Sequence, residues 1–266
     1  VSVDDAQAAP FLVQAAVRAG CREPAVVALE NPWGRGNAAA ASEAMRPAGI
    51  GDLAVHMMPA AGGPVLAARI VADIAARGSD CLILVQSFAA TGDLLAAMAE
   101  RGMDMPIFSH WGVLGRPASG LVPDKDLAAF DLRVLGTCGL DRLDRMQALD
   151  AELRTAAADV SGRDIAVGDL DAPHAFLHAY DATTLLLSAI GAARQRPGWS
   201  GNIDDRRHLL RQELYRLAEV RGTLKTYRAP FSPVTQSRQD GHEALGADDL
   251  CLTRFTPDGR LRPVDP

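Results

Sequence analysis

The sequence predicts an α/β protein: a three-layer, Rossmann-like parallel sheet with a C-terminal helical extension and short strands. Between Asp5 and Thr137, short apolar runs alternate with longer segments of helical period, which is typical of strands joined by crossover helices. The run from Cys81 to Val85 is apolar without alternation, as expected for a strand covered on both faces. With 266 residues, of which 48% are hydrophobic, the chain is long enough to bury a full core.

Each element of the sheet is marked by its hydrophobic period and by the residues that end it. Apolar runs predict the strands, and apolar residues one turn apart predict the helices. Leu66, Ile70 and Ile74, for example, fall on one helical face after Gly62-Gly63-Pro64. The predicted elements are, in order, a helix at 6–19, a strand at 25–29, a helix at 35–45, a strand at 53–57, a helix from 64 that ends at Gly78, a strand at 81–85, a helix around 94–98, and strands at 106–108 and 132–135.

The alternation of short apolar runs with helical segments changes after Ala158. This divides the chain into an α/β domain at 1–158 and a C-terminal region at 159–266. A polar stretch rich in Asp and Gly precedes the long helix of this second region, and Leu177, Thr184 and Leu187 lie along one side of that helix. The predicted elements are helices at 173–194 and 205–220 and strands at 224–227 and 250–255.

Composition excludes several classes of protein. The 27 basic and 33 acidic residues give a net charge of −6, and neither sign forms a block that could follow a phosphate backbone, so no nucleic-acid partner is expected. No apolar run approaches the roughly 20 residues that a membrane helix needs. Val1 is not a start methionine and no charged-then-apolar leader precedes it, so any export signal is expected to have been removed or to lie upstream.

The four cysteines do not form a metal-binding pattern. Cys21, Cys81, Cys138 and Cys251 are widely separated, three of them border apolar runs, and no C-x-x-C occurs. We expect buried free thiols. A disulfide is the alternative, but sequence separation alone cannot establish the short Cα distance that it requires.

A ligand site is predicted at the carboxyl ends of the strands, where open parallel sheets form their binding crevice. These positions are rich in aromatic residues, although aromatics make up only 5% of the chain. Large flat rings with a polar group suit a site for a small organic ligand. The alternative is that Trp33 and Trp111 pack loops onto the sheet and that His110 bonds a neighbouring carbonyl. The candidate ligand-binding residues are Asn31, Trp33, Gln86, Ser87, Phe88, Ser109, His110 and Trp111.

Signals for catalysis, cofactors and metals are weak, so we expect no enzyme activity, no cofactor and no metal. His174 and His178 are four residues apart, but the segment between them lacks the glutamate of H-E-x-x-H, which favours surface or helix-cap histidines. Gly34-Arg35-Gly36 lacks the spacing of a dinucleotide-binding loop. Neither a phosphate-binding P-loop nor a G-x-S-x-G nucleophile turn occurs.

The order of several short motifs resembles a known family, the type I periplasmic solute-binding proteins of ABC transporters, which are similar to the leucine/isoleucine/valine-binding protein. Each motif is short, and the resemblance rests on their order along nearly the whole chain. The motifs are Ser2-Val3-Asp4-Asp5, Trp33-Gly34-Arg35-Gly36, the run from Gly78 to Val85, Met105-Pro106-Ile107, His178-Ala179-Tyr180-Asp181-Ala182, Tyr227 to Ser232, His242 to Leu245, and Asp258-Gly259-Arg260.

The resemblance implies an extracytoplasmic receptor that captures a small ligand, such as an amino acid or an aromatic or other carboxylate, and delivers it to a membrane permease without chemistry. In the family, two lobes close on the ligand. This chain resembles lobe two, and most of the N-terminal lobe, on the order of a hundred residues, is expected to be absent. By the same resemblance Trp33 and either Ser87 or Phe88 contact the ligand.

The resemblance also raises a question about the long helix. In the family the helix around Tyr180 and Asp181 belongs to the lobe that we expect to be absent. An apolar stripe left in water is disfavoured, so we expect this helix to pack on lobe two or to be covered by a second copy of the chain in a homodimer. A sensor or regulatory domain on the same fold is the alternative function, ahead of an α/β enzyme.

Overall fold

The apolar runs in the first half of the chain form the expected succession of strands and helices. The computed structural model describes residues 5–51, 53–114, 124–139, 143–167, 173–235, 241–257 and 261–264. The motif residues 2–4 and 258–260 lie outside this part of the chain. The elements up to residue 137 are α1 (Asp5–Arg18), β1 (Pro24–Leu29), α2 (Pro32–Met45), β2 (Ala54–Met58), α3 (Pro64–Ala76), β3 (Cys81–Val85), α4 (Phe88–Glu100), β4 (Ile107–Ser109), α5 (Asp124–Leu127) and β5 (Leu132–Thr137).

Five of these strands are parallel and lie in the order β2-β1-β3-β4-β5. This is a doubly wound order, in which the chain reverses its direction of progress between β1 and β3. The predicted fold class is confirmed. Two further strands, β8 (Leu250–Phe255) and β9 (Leu261–Val264), extend the same sheet antiparallel beyond β5. The sequence predicted β8 but not its place in the sheet, because a strand's neighbours are set by tertiary pairing.

The core lies between the sheet and its helices. All five residues of β3 are buried, so its uninterrupted apolar run is explained by cover on both faces. Leu82 and Leu84 of β3 belong to the cluster formed with α3 and α4, which pack against each other. Ile83 lies between them in the strand and therefore faces the opposite side of the sheet. Helices α1 and α2 also pack against each other.

The chain divides into two compact units, one formed by Asp5–Asp141 with Leu250–Pro266 and the other by Arg142–Asp249. The first unit contains the seven-stranded sheet. The second contains α6 (Leu143–Ser161), α7 (Pro173–Ala193), α8 (Ile203–Arg216) and a hairpin of β6 (Glu219–Arg221) and β7 (Thr226–Arg228). Helix α8 ends four residues before its predicted end because the chain turns into β6.

Among the described residues, no helix combines the length and the apolar character that a bilayer crossing requires.

A buried carboxylate fixes the hairpin of the second unit to α7. Asp181 has no exposed surface, and it accepts hydrogen bonds from the backbone N–H groups of Thr223 and Leu224 at 2.6 and 2.9 Å. The hydroxyl of Tyr227 donates a third bond at 2.8 Å. Burial and the neighbouring Asp181 raise the pKa of Tyr227, which keeps this hydroxyl a donor. A Cβ at Gly222 would fall against the Asp181 carboxylate, so glycine is needed for this close approach.

The four cysteines form two disulfides, which corrects the expectation of free thiols. Cys21 pairs with Cys81 across a Cα distance of 5.8 Å, and Cys138 pairs with Cys251 across 5.1 Å. The parallel pairing of β1 and β3 places Pro24 beside Cys81, which brings the loop before β1 close to the start of β3. The antiparallel pairing of β5 and β8 aligns Gly136 with Cys251. Strand pairing brings the cysteines of each pair together. Their separations of 60 and 113 residues in the sequence give no indication of this.

Candidate functional site

The candidate site lies at the carboxyl edge of the parallel strands, in the sheet-containing unit. Its residues follow β1, β3 and β4, which are neighbours in the sheet. In open α/β sheets the ligand crevice lies where the strand order reverses, and in this sheet the reversal is between β1 and β3. The predicted residues after these strands are therefore brought to the same part of the molecule.

The first part of the site is the opening turn of α2. Asn31 caps this helix, and its side-chain oxygen accepts a hydrogen bond from the N–H of Gly34 at 2.8 Å. A Cβ at Gly34 would overlap the Leu29 carbonyl oxygen, so this turn lies directly on the end of β1. The buried amide of Asn37 donates to the carbonyl of Trp33 at 3.1 Å. These contacts fix the backbone from which the Trp33 indole projects.

The second part is the loop between β3 and α4. Gln86 is buried, and its side-chain amide donates to the carbonyl of Met58, which ties the end of β3 to the end of β2. Ser87 caps α4 and donates its hydroxyl to the carbonyl of Ala60 at 2.7 Å. Phe88 is buried in the hydrophobic core. The side chains of this loop thus hold the edge of the sheet together.

The third part brings three rings together. The backbone N–H of His110 donates to the carbonyl of Leu84, which continues the β3–β4 pairing by one residue. The His110 ring lies edge to face with Trp33, with centroids 4.9 Å apart, and with Trp111, with centroids 4.0 Å apart. His110 is completely buried, whereas both indoles keep some exposed surface. We call Trp33, His110 and Trp111 the aromatic wall.

The structure therefore separates the eight predicted site residues into two groups. Trp33 and Trp111 each contact the His110 ring, and the three residues form the wall. The other predicted side chains make contacts within the fold: Asn31 and Ser87 cap helices, Gln86 joins two strand ends, Phe88 fills the core, and the buried Ser109 hydroxyl donates to the carbonyl of His110 at 3.0 Å.

Sequence reasoning missed two residues that support the wall. Asn37 lies in the second turn of α2 and carried no signal beyond its polarity. Gly112 follows Trp111, and a Cβ at this position would overlap the Gln86 carbonyl oxygen and lie 3.4 Å from Cη2 of Trp33. A glycine directly after each of the two tryptophans of the wall, at residues 34 and 112, is a signal that could have indicated close packing at this edge.

The electrostatics of the edge favour an anionic or polar ligand group. Helices α2 and α4 both begin here, directly after β1 and β3, and helix N-termini carry a partial positive charge from their N–H donors, of which those of Gly34 and Ala90 are bound by the Asn31 and Ser87 caps. Indole rings offer flat apolar surface beside these donors. The arrangement can hold a small molecule with one planar or apolar part and one anionic part.

The potential metal ligands that lie together are at another edge of the sheet. Among the described residues, one group of three potential metal ligands lies together, Cys21, Asp80 and Cys81. It is at the opposite, amino edge of the sheet, next to the start of β3. Both of its sulfurs are in a disulfide, which leaves no thiolate to bind a metal.

Comparison with known proteins gives structural matches but no sequence matches. No family model matches the chain. A search of characterised protein sequences likewise finds no significant match. An ABC transporter substrate-binding protein from Desulfitobacterium hafniense, in complex with Leu, is 19% identical, with a TM-score of 0.60 over 98% of this chain and 65% of that one. An ABC transporter solute-binding protein from R. palustris, in complex with benzoate, is 15% identical, with a TM-score of 0.68 over 98% and 62%. The type 1 periplasmic binding protein of Bordetella pertussis Tohama I is 15% identical, with a TM-score of 0.64 over 98% and 64%.

The chain has the type I periplasmic binding protein fold. The resemblance inferred from the motifs is thereby confirmed at the level of the fold. The chain spans about two thirds of the length of the solved structures that it matches. Within the type I periplasmic binding protein fold, the aromatic wall lies at the sheet edge where the strand order reverses.

Proposed function

We propose that this protein is a solute-binding receptor that captures a small organic molecule without changing it. The observation that carries this proposal is the aromatic wall at the strand-order reversal of a type I periplasmic binding protein fold. The rings come from two loops that the chain separates by more than seventy residues, and the fold brings them together at the edge where open sheets bind ligands. The structural neighbours that support the proposal are described as substrate-binding proteins or ligand-binding receptors.

The ligand that fits this edge is a small carboxylate or amino acid with an apolar group. The partly exposed Trp33 and Trp111 suit the apolar part of such a molecule, and the N-termini of α2 and α4 suit its carboxylate. The neighbours solved with leucine and with benzoate carry ligands of this kind. Of the two, the flat ring of benzoate suits stacking on indole better.

The partner of such a receptor is the permease of an ABC importer, and its location is extracytoplasmic. Two neighbours are described as ABC transporter proteins that bind a substrate or solute. The two disulfides give independent support for the location, because disulfides persist in oxidising compartments such as the bacterial periplasm and are rare in the cytosol.

A second copy of the chain is a further proposed partner. Leu186 and Leu187 of α7 are 41% and 60% exposed, although Leu185 and Ala189 of the same helix are buried. A homodimer through this side of α7 would remove both leucines from water. Light scattering coupled to size exclusion should then give twice the mass of the chain, and Leu187→Glu should return it to the monomer mass.

A ligand screen tests the receptor function. The 266-residue chain is heated with benzoate, leucine, other amino acids and benzamide, which has the ring of benzoate without its charge. A ligand that binds the folded state raises the melting temperature by an amount that grows with the logarithm of its concentration relative to Kd. We expect benzoate to raise it and benzamide to have a smaller effect. If no carboxylate or amino acid changes the melting temperature or the tryptophan fluorescence at millimolar concentration, the proposal is wrong.

A further inference from the structure

Gly112 lies where the two tryptophan-bearing loops meet. A Cβ built at this residue would overlap the carbonyl oxygen of Gln86 at the end of β3. The same Cβ would lie 3.4 Å from Cη2 of Trp33, in contact with the rim of the indole. Gly112 therefore touches the backbone that follows one strand and the ring that follows another.

The need for glycine here comes from packing. The φ angle of Gly112 lies outside the left-handed region, so other residues could adopt its backbone conformation. No larger residue fits at this position, because its Cβ would overlap the backbone carbonyl oxygen of Gln86. Gln86 cannot retreat easily, since its buried side chain is bonded to the carbonyl of Met58.

A side chain at residue 112 would therefore lift the short helical turn Trp111–Leu114 from the end of β3. Trp111 begins this turn, and its ring contacts His110 with centroids 4.0 Å apart. Lifting the turn would move the Trp111 ring relative to Trp33, which is held separately by the Asn31 cap and by Asn37. The spacing of the Trp33 and Trp111 rings, both of which are partly buried, thus depends on the absence of a side chain at 112.

We propose that Gly112 is a specificity-determining positioning residue, which sets the spacing between Trp33 and Trp111 and so favours flat ligands over branched ones. The inference rests on the proposed receptor function and adds a shape preference to it. A flat ring gains from stacking only when the indole faces keep their spacing. A branched aliphatic group has no such requirement and fills a distorted wall nearly as well as the native one.

The experiment compares Gly112→Ala with Gly36→Ala. Gly36 lies in α2, close to Trp33 in sequence, and a Cβ there would meet nothing within 4 Å. Affinities for benzoate, which is flat, and leucine, which is branched, are measured by calorimetry for each protein. Near-ultraviolet circular dichroism reports the tryptophan environment, and far-ultraviolet dichroism reports the fold.

Gly112→Ala is expected to keep the far-ultraviolet spectrum, change the near-ultraviolet bands and lower the ratio of benzoate to leucine affinity by about tenfold. Gly36→Ala should leave both spectra and the ratio unchanged. Wild-type spectra with an unchanged ratio in Gly112→Ala would overturn the inference and leave the receptor function standing. Failure of the unmodified chain to bind either probe would overturn the receptor function, and the inference with it.

If Gly112→Ala does not fold, a second variant, Trp111→Ala, tests the inference. Trp111→Ala leaves Gly112 in place and removes the ring that Gly112 positions. The inference requires this variant to lose benzoate affinity selectively. Equal losses for benzoate and leucine would contradict it.

Discussion

The Trp33 indole meets the His110 imidazole edge to face, with the ring planes at 90° and the centroids 4.9 Å apart. The two residues follow different strands, β1 and β4, which β3 separates in the sheet. His110 is completely buried and Trp33 is partly exposed, so the imidazole supports the indole from the inner side of the site.

This relationship predicts that Trp33 matters more for binding than a tryptophan elsewhere. Trp33→Ala should weaken the affinity for the best ligand of the screen by about tenfold or more, as expected for an aromatic residue that becomes buried on binding. Trp199→Ala is the matched control, because Trp199 lies in the other unit and contacts Arg206. Its effect should stay within about twofold. Equal losses for the two variants, measured by fluorescence titration, would remove the site assignment.

The disulfide between Cys138 and Cys251 should hold β8 and β9 in the sheet. It joins the end of β5 to β8 across 113 residues, and a bridge that closes a loop of this length contributes about 2 to 5 kcal/mol to stability. The double variant Cys138→Ser, Cys251→Ser should therefore unfold at lower urea. Hydrogen exchange should rise first in β8 and β9. Unchanged exchange in these strands would show that the bridge does not restrain them.

The two disulfides also predict the thiol content of the protein. Denatured without reductant, the chain should react with no equivalents of a thiol reagent, and after reduction it should react with four. Peptide mapping without reductant should link Cys21 to Cys81 and Cys138 to Cys251. Free thiols in protein exported to an oxidising compartment would contradict both pairings.

Asp181 should be the most sensitive carboxylate of the second unit. Asp181→Asn removes the charge that three buried donors share, and should lower the free energy of unfolding by about 2 to 4 kcal/mol. Asp159→Asn, at an exposed position of α6, is the control and should change it by less than about 0.5 kcal/mol. Equal effects in urea titrations would mean that the hairpin is held by other contacts.

His174 predicts a loss of stability in mild acid. Burial, and to a smaller extent the neighbouring His178, lower its pKa from 6.5 to about 4. Between these values the unfolded chain binds a proton that the folded chain does not, so stability falls as the pH falls from 6.5 towards 4. The ring is partly exposed, which reduces the expected loss to about 1 to 2 kcal/mol.

The measurement is the free energy of unfolding at pH 7.5 and at pH 4.5. His174→Gln should lose less stability than the unmodified chain over this interval, because it has no ring to protonate. His208→Gln, at an exposed position of α8, should behave like the unmodified chain. An identical pH dependence for His174→Gln would show that burial of this ring does not control acid stability.

The prediction from sequence was best where local pattern decides structure. The bounds of β3 match the apolar run at 81–85, and α7 ends one residue from its predicted end at 194. It was poorest where the apolar pattern is weak or where tertiary pairing decides structure. Helix α6 was not predicted, because it is largely polar and follows the last strand of the apolar pattern. The strand β9 was missed because its four residues alternate only weakly and include Pro263.

The candidate site likewise has features that local sequence predicts and features that only tertiary contacts decide. Strand-end positions predicted that Trp33, His110 and Trp111 lie along one edge of the sheet, because the carboxyl ends of parallel strands meet there. Polarity and aromaticity could not separate Trp33, which keeps an exposed face, from Phe88, which fills the core. Nor could they assign Asn31 and Ser87 to helix capping, since cap residues and ligand-binding residues share the same chemistry.

The sequence by itself determined the α/β class, the order of the elements and the strand ends at which aromatic residues gather. Those properties depend on period and on turn residues, which act over a few neighbours. Only the tertiary structure decided that β1 lies beside β3, that the cysteines pair, and that Trp33, His110 and Trp111 form one wall around a position without a side chain. These features depend on contacts between segments tens of residues apart, and local patterns carry no information on which distant segments will meet.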